Sequence, residues 1–131
     1  RGLVGSEMCI RDRRCQIQEN AKQLAFHHVI PEMNHNEIVG WTNSNPNIIP
    51  VLIRKKIEND EIRNRFEALK KTAWKNIKVV EIFAKCNNHL SQMLETIYIG
   101  DMTSVELAEL NGADPTPVEV IENLKKELGG R

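Results

Sequence analysis

Residues 48–83 read IIPVLIRKKIENDEIRNRFEALKKTAWKNIKVVEIF and contain two short apolar runs on either side of a helical pattern. The first run, residues 48–53, has strand length, and the prolines near its start predict that pairing begins near Val51. Residues 59–73 have helical periodicity, and residues 77–83 form a second apolar run. Strand, helix and strand predict a right-handed βαβ unit whose strands are parallel.

The central helix of this unit has one buried face. Its apolar residues recur at spacings of three and four: Ile62, Phe66, Leu69 and Ala73. Two charge pairs, Glu61 with Arg65 and Glu67 with Lys71, are spaced to lie on the solvated side. The basic run at residues 54–56 is interpreted as a solvated strand end rather than as a phosphate patch.

Two further helices are predicted downstream. Residues 88–110 have a buried face, with Asn111 and Gly112 as a C-cap, and Gly100 with Asp101 is a candidate break. The buried face consists of Leu90, Leu94, Ile97, Val105, Ala108 and Leu110. In the last helix, Thr116 is the predicted N-cap, Pro117 the first helical residue and Glu119 the end of a capping box. Its predicted buried face consists of Val120, Ile121, Leu124 and Leu128.

Upstream of residue 48 the pattern predicts one longer and one shorter helix. The longer one has its apolar face at Ile17, Ala21, Leu24, Ala25 and His28. It is expected to end before Pro31, because the residue preceding a proline is disfavoured in a helix. The shorter helix covers residues 36–41. Residues 1–13 lack sustained periodicity and resemble translated sequencing-adaptor DNA, so we interpret them as non-native and begin the domain at residue 14.

The pattern indicates an α/β fold with a partial doubly wound parallel sheet. Two strands with four or five helices are too few for such a sheet, which is normally covered on both faces and has more strands. We therefore expect the missing strands upstream, and expect residues 14–131 to be the C-terminal half of a two-domain protein.

Composition narrows the possible partners. The 18 basic residues balance 18 acidic ones, so no overall field favours nucleic acid or an anionic membrane. The sequence has no apolar signal segment. Cys9, Cys15 and Cys86 form neither a CxxC pair nor a zinc-ligand spacing, which indicates free thiols in a cytoplasmic protein.

The candidate chemistry lies between Glu19 and His35, the most polar and least periodic part of the chain. A carboxylate and an imidazole, with intrinsic pKa values of about 4.3 and about 6.5, are a common pair for proton transfer. From residue types alone, a solvated helix glutamate and a turn histidine are the favoured interpretation. His27, His28 and His35 lack an HExxH spacing, so a metal-dependent hydrolase is a weak alternative.

Longer motifs change this balance. The run QIQENAK at residues 16–22, Ala25 with Phe26, and VIPEMNHNEIVGW at residues 29–41 resemble the bifunctional phosphoglucose/phosphomannose isomerases of the sugar isomerase (SIS) superfamily. The resemblance continues through Arg63 and Arg65, IYIGD at 97–101, NGADPTP at 111–117 and Leu124 with Lys125. It implies a three-layer, flavodoxin-like SIS fold.

The resemblance also implies roles for individual residues. Glu19 would move a proton between C1 and C2 of glucose 6-phosphate, mannose 6-phosphate and fructose 6-phosphate, with Asn20 beside it. His35 would assist ring opening in the neighbouring subunit of a homodimer. Lys125, or alternatively Lys126, would act at the ring oxygen, and Thr116 would admit both epimers. The resemblance implies neither a metal ion nor a cofactor.

One alternative stays open, a non-catalytic SIS-like module that binds a phosphosugar or dimerises. His28 stands where relatives commonly have asparagine, and residues 101–107 are less aromatic than usual. Both departures bear on substrate preference more than on reaction type. Because the phosphate-binding loops of the family lie mainly in the N-terminal half, we expect this chain alone to be inactive.

Overall fold

The computed structural model describes residues 3–43 and 47–129. The helices and strands are α1 (Leu3–Ala21), α2 (Glu37–Gly40), β1 (Val51–Lys55), α3 (Asp60–Lys71), β2 (Val80–Ala84), α4 (His89–Leu110) and α5 (Glu119–Glu127). Two short 3₁₀ turns, Glu32–Asn34 and Trp41–Asn43, flank α2.

The predicted βαβ unit is confirmed. β1 and β2 pair in parallel, from Val51 opposite Val80 to Lys55 opposite Ala84, and α3 connects them. The Asn59 side chain caps α3 by accepting a hydrogen bond of 2.8 Å from the Glu61 backbone N–H. β2 begins three residues later than the apolar run suggested.

The main core lies between β1, α3 and the segment around α2. It contains the buried residues Met33, Leu52, Phe66, Leu69 and Trp74. The predicted stripe of α3 is confirmed, since Ile62 and Ala73 pack against this core as well. The ring of Trp41 meets that of Trp74 edge-on, with centroids 5.6 Å apart, and so fastens residues 30–43 to the βαβ unit.

The opposite face of the sheet is covered by α1 and α4. Ile53 points away from Leu52 because successive strand residues alternate between faces. It lines a small cavity together with Cys9 of α1 and Met93 and Thr96 of α4. Helices therefore lie on both faces of a parallel sheet, which confirms the α/β prediction.

α1 packs on a ridge of small residues along α4. The buried residues of α4 recur at intervals of four: Thr96, Gly100, Ser104 and Ala108. A Cβ atom at Gly100 would collide with the Arg13 guanidinium, which donates a hydrogen bond to the Thr96 carbonyl. Ridges spaced by four residues are a common basis of helix packing. The contact thus extends along α1 at least from Arg13 to its C-terminal end.

The predicted buried face of α4 is only partly correct, since Ala108 is buried, and the predicted buried face of α5 is wrong. Leu90, Leu94 and Leu110 of α4 are exposed, as are Val120 and Leu124 of α5. The apolar periodicity is real, but among the described residues nothing covers these faces. Burial of α4 is achieved by small side chains instead, which a search for large apolar residues overlooks.

Several element boundaries also differ. α1 ends at Ala21, well before Pro31, because Lys22 adopts a left-handed backbone with φ +53°. α4 runs through Gly100 without a break. It ends as predicted at Asn111 and Gly112, where Gly112 has φ +65° and its N–H donates to the Glu109 carbonyl.

The capping box predicted for α5 does not form. Val118 is the N-cap and makes no side-chain capping bond. Thr116 lies in a preceding turn, where its backbone N–H donates to Asp114 Oδ1 over 2.9 Å. That turn directs the chain so that the helix begins at Glu119.

Arg54 is buried, contrary to the interpretation of residues 54–56 as solvated. It is only 5% exposed. Its partners, with Lys70, form what we term the Arg54 cluster: Arg54, Glu58, Glu67, Lys70 and Glu81. The guanidinium also stacks on two aromatic rings, 4.8 Å from the Phe66 centroid and 4.9 Å from that of Phe83.

This cluster rearranges one predicted charge pair. Glu61 pairs with Arg65 as expected, at 2.8 Å. Glu67, however, pairs with Lys70 at 2.9 Å and with Arg54 at 3.1 Å rather than with Lys71. A buried arginine attracts carboxylates from α3 and β2 because its charge needs partners away from water.

Candidate functional site

Glu19 lies in the last turn of α1 with its side chain exposed. In the described part of the chain its carboxylate makes no hydrogen bond and no ion pair. A carboxylate without protein partners is free to approach a ligand. The structure therefore places the proposed proton carrier at an open helix end.

Asn20, the next residue, is anchored to α4. Its Nδ2 donates to Gln16 Oε1 over 3.0 Å and to Ser104 Oγ over 2.8 Å. Ser104 is fully buried, and its hydroxyl donates in turn to the Asp101 carbonyl over 2.7 Å. Both amide hydrogens of Asn20 are thus used within the chain, and the amide oxygen remains available to a ligand.

Two side chains connect the end of α1 to later parts of the chain. Lys22 Nζ donates to the Glu19 carbonyl and to the Pro117 carbonyl, each over 2.6 Å. Asn111 Nδ2 donates to the Ala21 carbonyl over 3.1 Å. We term this region the α1–α5 junction, comprising residues 19–23, Asn111 and residues 116–117.

The junction brings together three of the predicted site residues. Glu19 and Asn20 belong to it through α1, and Thr116 through its neighbour Pro117. Thr116 is exposed, and its backbone is held by Asp114. Thr116 is joined to Glu19 and Asn20 only indirectly, because Lys22 bonds to the Glu19 carbonyl and to the carbonyl of Pro117, the residue after Thr116.

His35 lies elsewhere, in the turn between the first 3₁₀ turn and α2. It is exposed, and its backbone N–H donates to the Glu32 carbonyl over 3.0 Å. Its ring has no hydrogen-bond partner among residues 3–43 and 47–129. Within the chain, no hydrogen bond or ion pair between described residues links His35 to Glu19.

The two candidate lysines, Lys125 and Lys126, lie in the last turn of α5. Both are exposed, and neither ammonium group has a partner among the described residues. Lys22 holds the chain at Pro117, two residues before α5 begins at Glu119. This contact therefore influences where the two lysines lie relative to Glu19.

In the described residues, the histidine-rich region included, no group of three or more His, Cys, Asp or Glu side chains is arranged so that it could hold a metal ion. His28 Nε2 lies 3.9 Å from Glu37 Oε2, and His28 Nδ1 is 2.9 Å from the Val29 backbone nitrogen. None of the helices found in those residues is both long and apolar enough to span a bilayer. The three cysteines are free thiols.

An open groove of about 670 Å³ lies between α2 and the turn after α3. Trp41, Ala73 and Lys75 are among its lining residues. A second cavity of about 60 Å³ lies under Ile53. None of the predicted site residues lines either cavity, and all of them except the half-buried Asn20 are exposed.

The perturbed titrating groups lie away from the junction. In the Arg54 cluster, the hydrogen bond with Glu58 raises the pKa of Arg54 above its ordinary value. The Lys70 ammonium, followed by Arg54, lowers the pKa of Glu67. At the end of β2, backbone N–H groups of Cys86 and Lys85 hold the pKa of Glu95 below its usual value. These groups stabilise loops and the sheet end.

Residues 6–128 match the family described as the bacterial phospho-glucose isomerase C-terminal SIS domain. The chain belongs to this family. The match includes the Glu19 region, the His35 turn and α5, so the SIS domain spans both helices of the α1–α5 junction.

Similar proteins carry a consistent name. A bifunctional phosphoglucose/phosphomannose isomerase of Aquifex aeolicus is 38% identical over 119 residues, covering 86% of this chain and 36% of that protein. The enzyme of that name from Caldicellulosiruptor bescii is 36% identical over 134 residues, covering 97% of this chain and 39% of that protein. The enzyme of that name from Thermoplasma volcanium is 28% identical over 115 residues, covering 88% of this chain and 37% of that protein. This SIS domain thus spans less than two-fifths of the length of these relatives.

Sequence reasoning overlooked two residues of the junction. The sequence gives Lys22 only as part of a motif, and Asn111 only as a helix cap and the start of another motif. Neither has a distinctive local signal, because each acts through a backbone carbonyl far away in sequence. The asparagine at a helix end before a glycine predicts a cap, but not a bond to Ala21.

Proposed function

We propose that the complete protein interconverts glucose 6-phosphate and mannose 6-phosphate with fructose 6-phosphate. The family to which the chain belongs, and the names of its relatives, support this proposal. The observation that carries it is the position of Glu19, an exposed carboxylate without a protein partner in the described residues, beside an asparagine fixed by Ser104.

The reaction needs one base that reaches two adjacent carbons. Glu19 removes the weakly acidic C2 proton of the aldose and delivers a proton to C1, while the C2 hydroxyl loses its proton and O1 gains one, giving the ketose. The intermediate is an enediolate, whose negative charge needs fixed hydrogen-bond donors. A carboxylate can perform this transfer without a metal ion, and donors for the enediolate and the phosphate belong to the part of the protein outside this chain.

Three further residues complete the proposal. His35 assists ring opening in the neighbouring subunit of a homodimer, and its exposed ring, unpartnered in the described residues, is compatible with that role. Lys125, with Lys126 as the alternative, acts at the ring oxygen. Thr116 contacts the sugar where the two epimers differ.

The proposal includes inactivity of this chain alone and a cytoplasmic location. Glu19, His35 and Lys125 are not joined by contacts within the described residues, and each is exposed. An open surface does not exclude water from a reacting sugar, so the remainder of the protein must cover it. Three free thiols are typical of a reducing compartment.

One observation favours the second candidate, a non-catalytic phosphosugar-binding or dimerisation module. α4 exposes an apolar face that includes Leu90, Leu94, Tyr98, Met102 and Val105. An apolar face of this kind is a typical association surface. A pure association module, however, has no need of Glu19.

The distinguishing experiment compares Glu19→Gln with Glu109→Gln in the complete protein. Glu109 is an exposed glutamate of α4 whose carboxylate makes no hydrogen bond or ion pair among the described residues, and it serves as a matched control. We expect Glu19→Gln to bind fructose 6-phosphate with nearly unchanged affinity and to lose turnover by at least about a hundredfold. Near-full turnover in Glu19→Gln would refute the isomerase assignment, and Glu109→Gln should keep wild-type activity.

A further inference from the structure

The ammonium group of Lys22 bridges two parts of the candidate site. It lies 2.6 Å from the Glu19 carbonyl oxygen, in the last turn of α1, and 2.6 Å from the Pro117 carbonyl oxygen, just before α5. Both acceptors are backbone atoms. Lys22 therefore fixes the distance between two chain segments rather than the orientation of one side chain.

No other bond performs this task in the described residues. Within residues 114–129, the remaining hydrogen bonds are local, such as those of the helix and of Thr116 to Asp114. Hydrophobic packing contributes little, since Val120 is 83% exposed and Leu128 70% exposed. In the described chain, Lys22 is thus the one polar tie from this segment to the rest.

The backbone conformation of Lys22 is a further sign that a lysine side chain is needed at this position. Lys22 has φ +53°, and no other described residue except glycine has a positive φ. Glycine or asparagine is preferred in this region when a helix merely has to end. A residue held in a disfavoured conformation points to a function of its side chain.

We propose that Lys22 is a positioning residue that sets α5, and hence Lys125, relative to the Glu19 carboxylate. This inference rests on the proposed function. The bond to Pro117 locates the start of α5, and Lys125 follows in the last turn of that helix. Lys22 acts through backbone carbonyls and does not need to touch the sugar.

The test uses the complete protein with three variants at this position. Lys22→Met removes the donor and keeps the length, Lys22→Gly also relieves the left-handed backbone, and Lys22→Arg keeps a cationic donor. Lys78→Met is the control, because Lys78 is exposed and has no bond or ion pair among the described residues. Measured are kcat and KM for fructose 6-phosphate, the melting temperature, and amide hydrogen exchange of residues 119–127.

We expect Lys22→Met to lower kcat about tenfold or more, because small misplacements of catalytic groups are costly, with a smaller change in KM. Lys22→Arg should restore much of the rate. Lys22→Gly should keep or raise the melting temperature while kcat falls, since glycine tolerates positive φ. A merely structural lysine would instead show activity that follows stability. In both Met and Gly variants, exchange in residues 119–127 should accelerate relative to α4.

The outcomes separate this inference from the proposed function. An active wild type whose Lys22→Met and Lys22→Gly variants keep full kcat and unchanged exchange overturns the inference alone. A wild type without isomerase activity overturns the proposed function. In that case the inference fails too as a statement about catalysis, and the exchange data decide only whether Lys22 holds α5.

Discussion

Replacing Arg54 by methionine tests the buried charge cluster. The side chain of Glu58 is only 5% exposed and bonds to Arg54 at 2.7 Å, so the change leaves a carboxylate without a partner away from water. Glu67 and Glu81 are 43% and 25% exposed and can recover hydration. Removing one member of a buried pair typically costs about 3–5 kcal/mol. We expect a loss of that size in unfolding free energy, dominated by Glu58.

The assay is urea unfolding followed by tryptophan fluorescence. Trp74 is 4% exposed and contacts the same core as α3, so it reports on this region. The matched control is Arg65→Met, whose partner Glu61 is 71% exposed and whose ion pair should contribute below about 1 kcal/mol. The double variant Arg54→Met/Glu58→Met should recover more than half of the loss. If Arg54→Met cost no more than the control, the account of the cluster would be refuted.

Two other predictions concern stability. Lys70 and Arg54 hold the pKa of Glu67 below its ordinary value, and they do the same for Glu81 although burial opposes it. A carboxylate whose pKa is lowered in the folded state stabilises the fold at pH values above its unfolded pKa of about 4.3, and this stabilisation is lost as the pH falls further. The urea midpoint of the wild type should therefore decrease as the pH is lowered below about 4.3, and the decrease should be smaller in Arg54→Met. For Gly100, we expect Gly100→Ala to change the unfolding free energy by less than about 1 kcal/mol, as helix propensity offsets displacement of Arg13, whose flexible end can move. Gly100→Leu should cost about 1–3 kcal/mol by overpacking the α1–α4 contact, and equal stability of the two variants would contradict that packing.

Local patterns were sufficient for the βαβ unit. The apolar runs around Val51 and Val80 and the stripe through Phe66 and Leu69 predicted parallel strands and the buried face of α3. These elements are buried on the sides that their periodicity indicates. Prediction succeeds here because each element is covered by its neighbours in sequence.

Prediction failed where contacts between distant residues determine the structure. The end of α1 depends on Lys22, a residue type that gives no signal for a left-handed backbone. The packing of α4 uses Gly100 and Ser104, which are not apolar, and the large apolar residues remain exposed. Arg54 was assigned to the surface because three glutamates from separate elements could not be foreseen around it.

The candidate site was predictable as a set of residues but not as an arrangement. Motif resemblance named Glu19, Asn20 and Thr116, and the structure brings them to the α1–α5 junction. The same resemblance named His35 and Lys125, which remain separate from Glu19 in this chain.

The most direct test of the proposed proton transfer is isotope exchange. The complete protein is incubated with fructose 6-phosphate in D₂O, and deuterium at C1 of the ketose and C2 of the aldose products is measured by NMR. A proton held on the Glu19 carboxylate can exchange with D₂O before it reaches the second carbon of the enediolate. We therefore expect some deuterium at these carbons with the wild type and none with Glu19→Gln. Isomerisation at the wild-type rate by Glu19→Gln, or equal deuterium incorporation by that variant, would contradict the account.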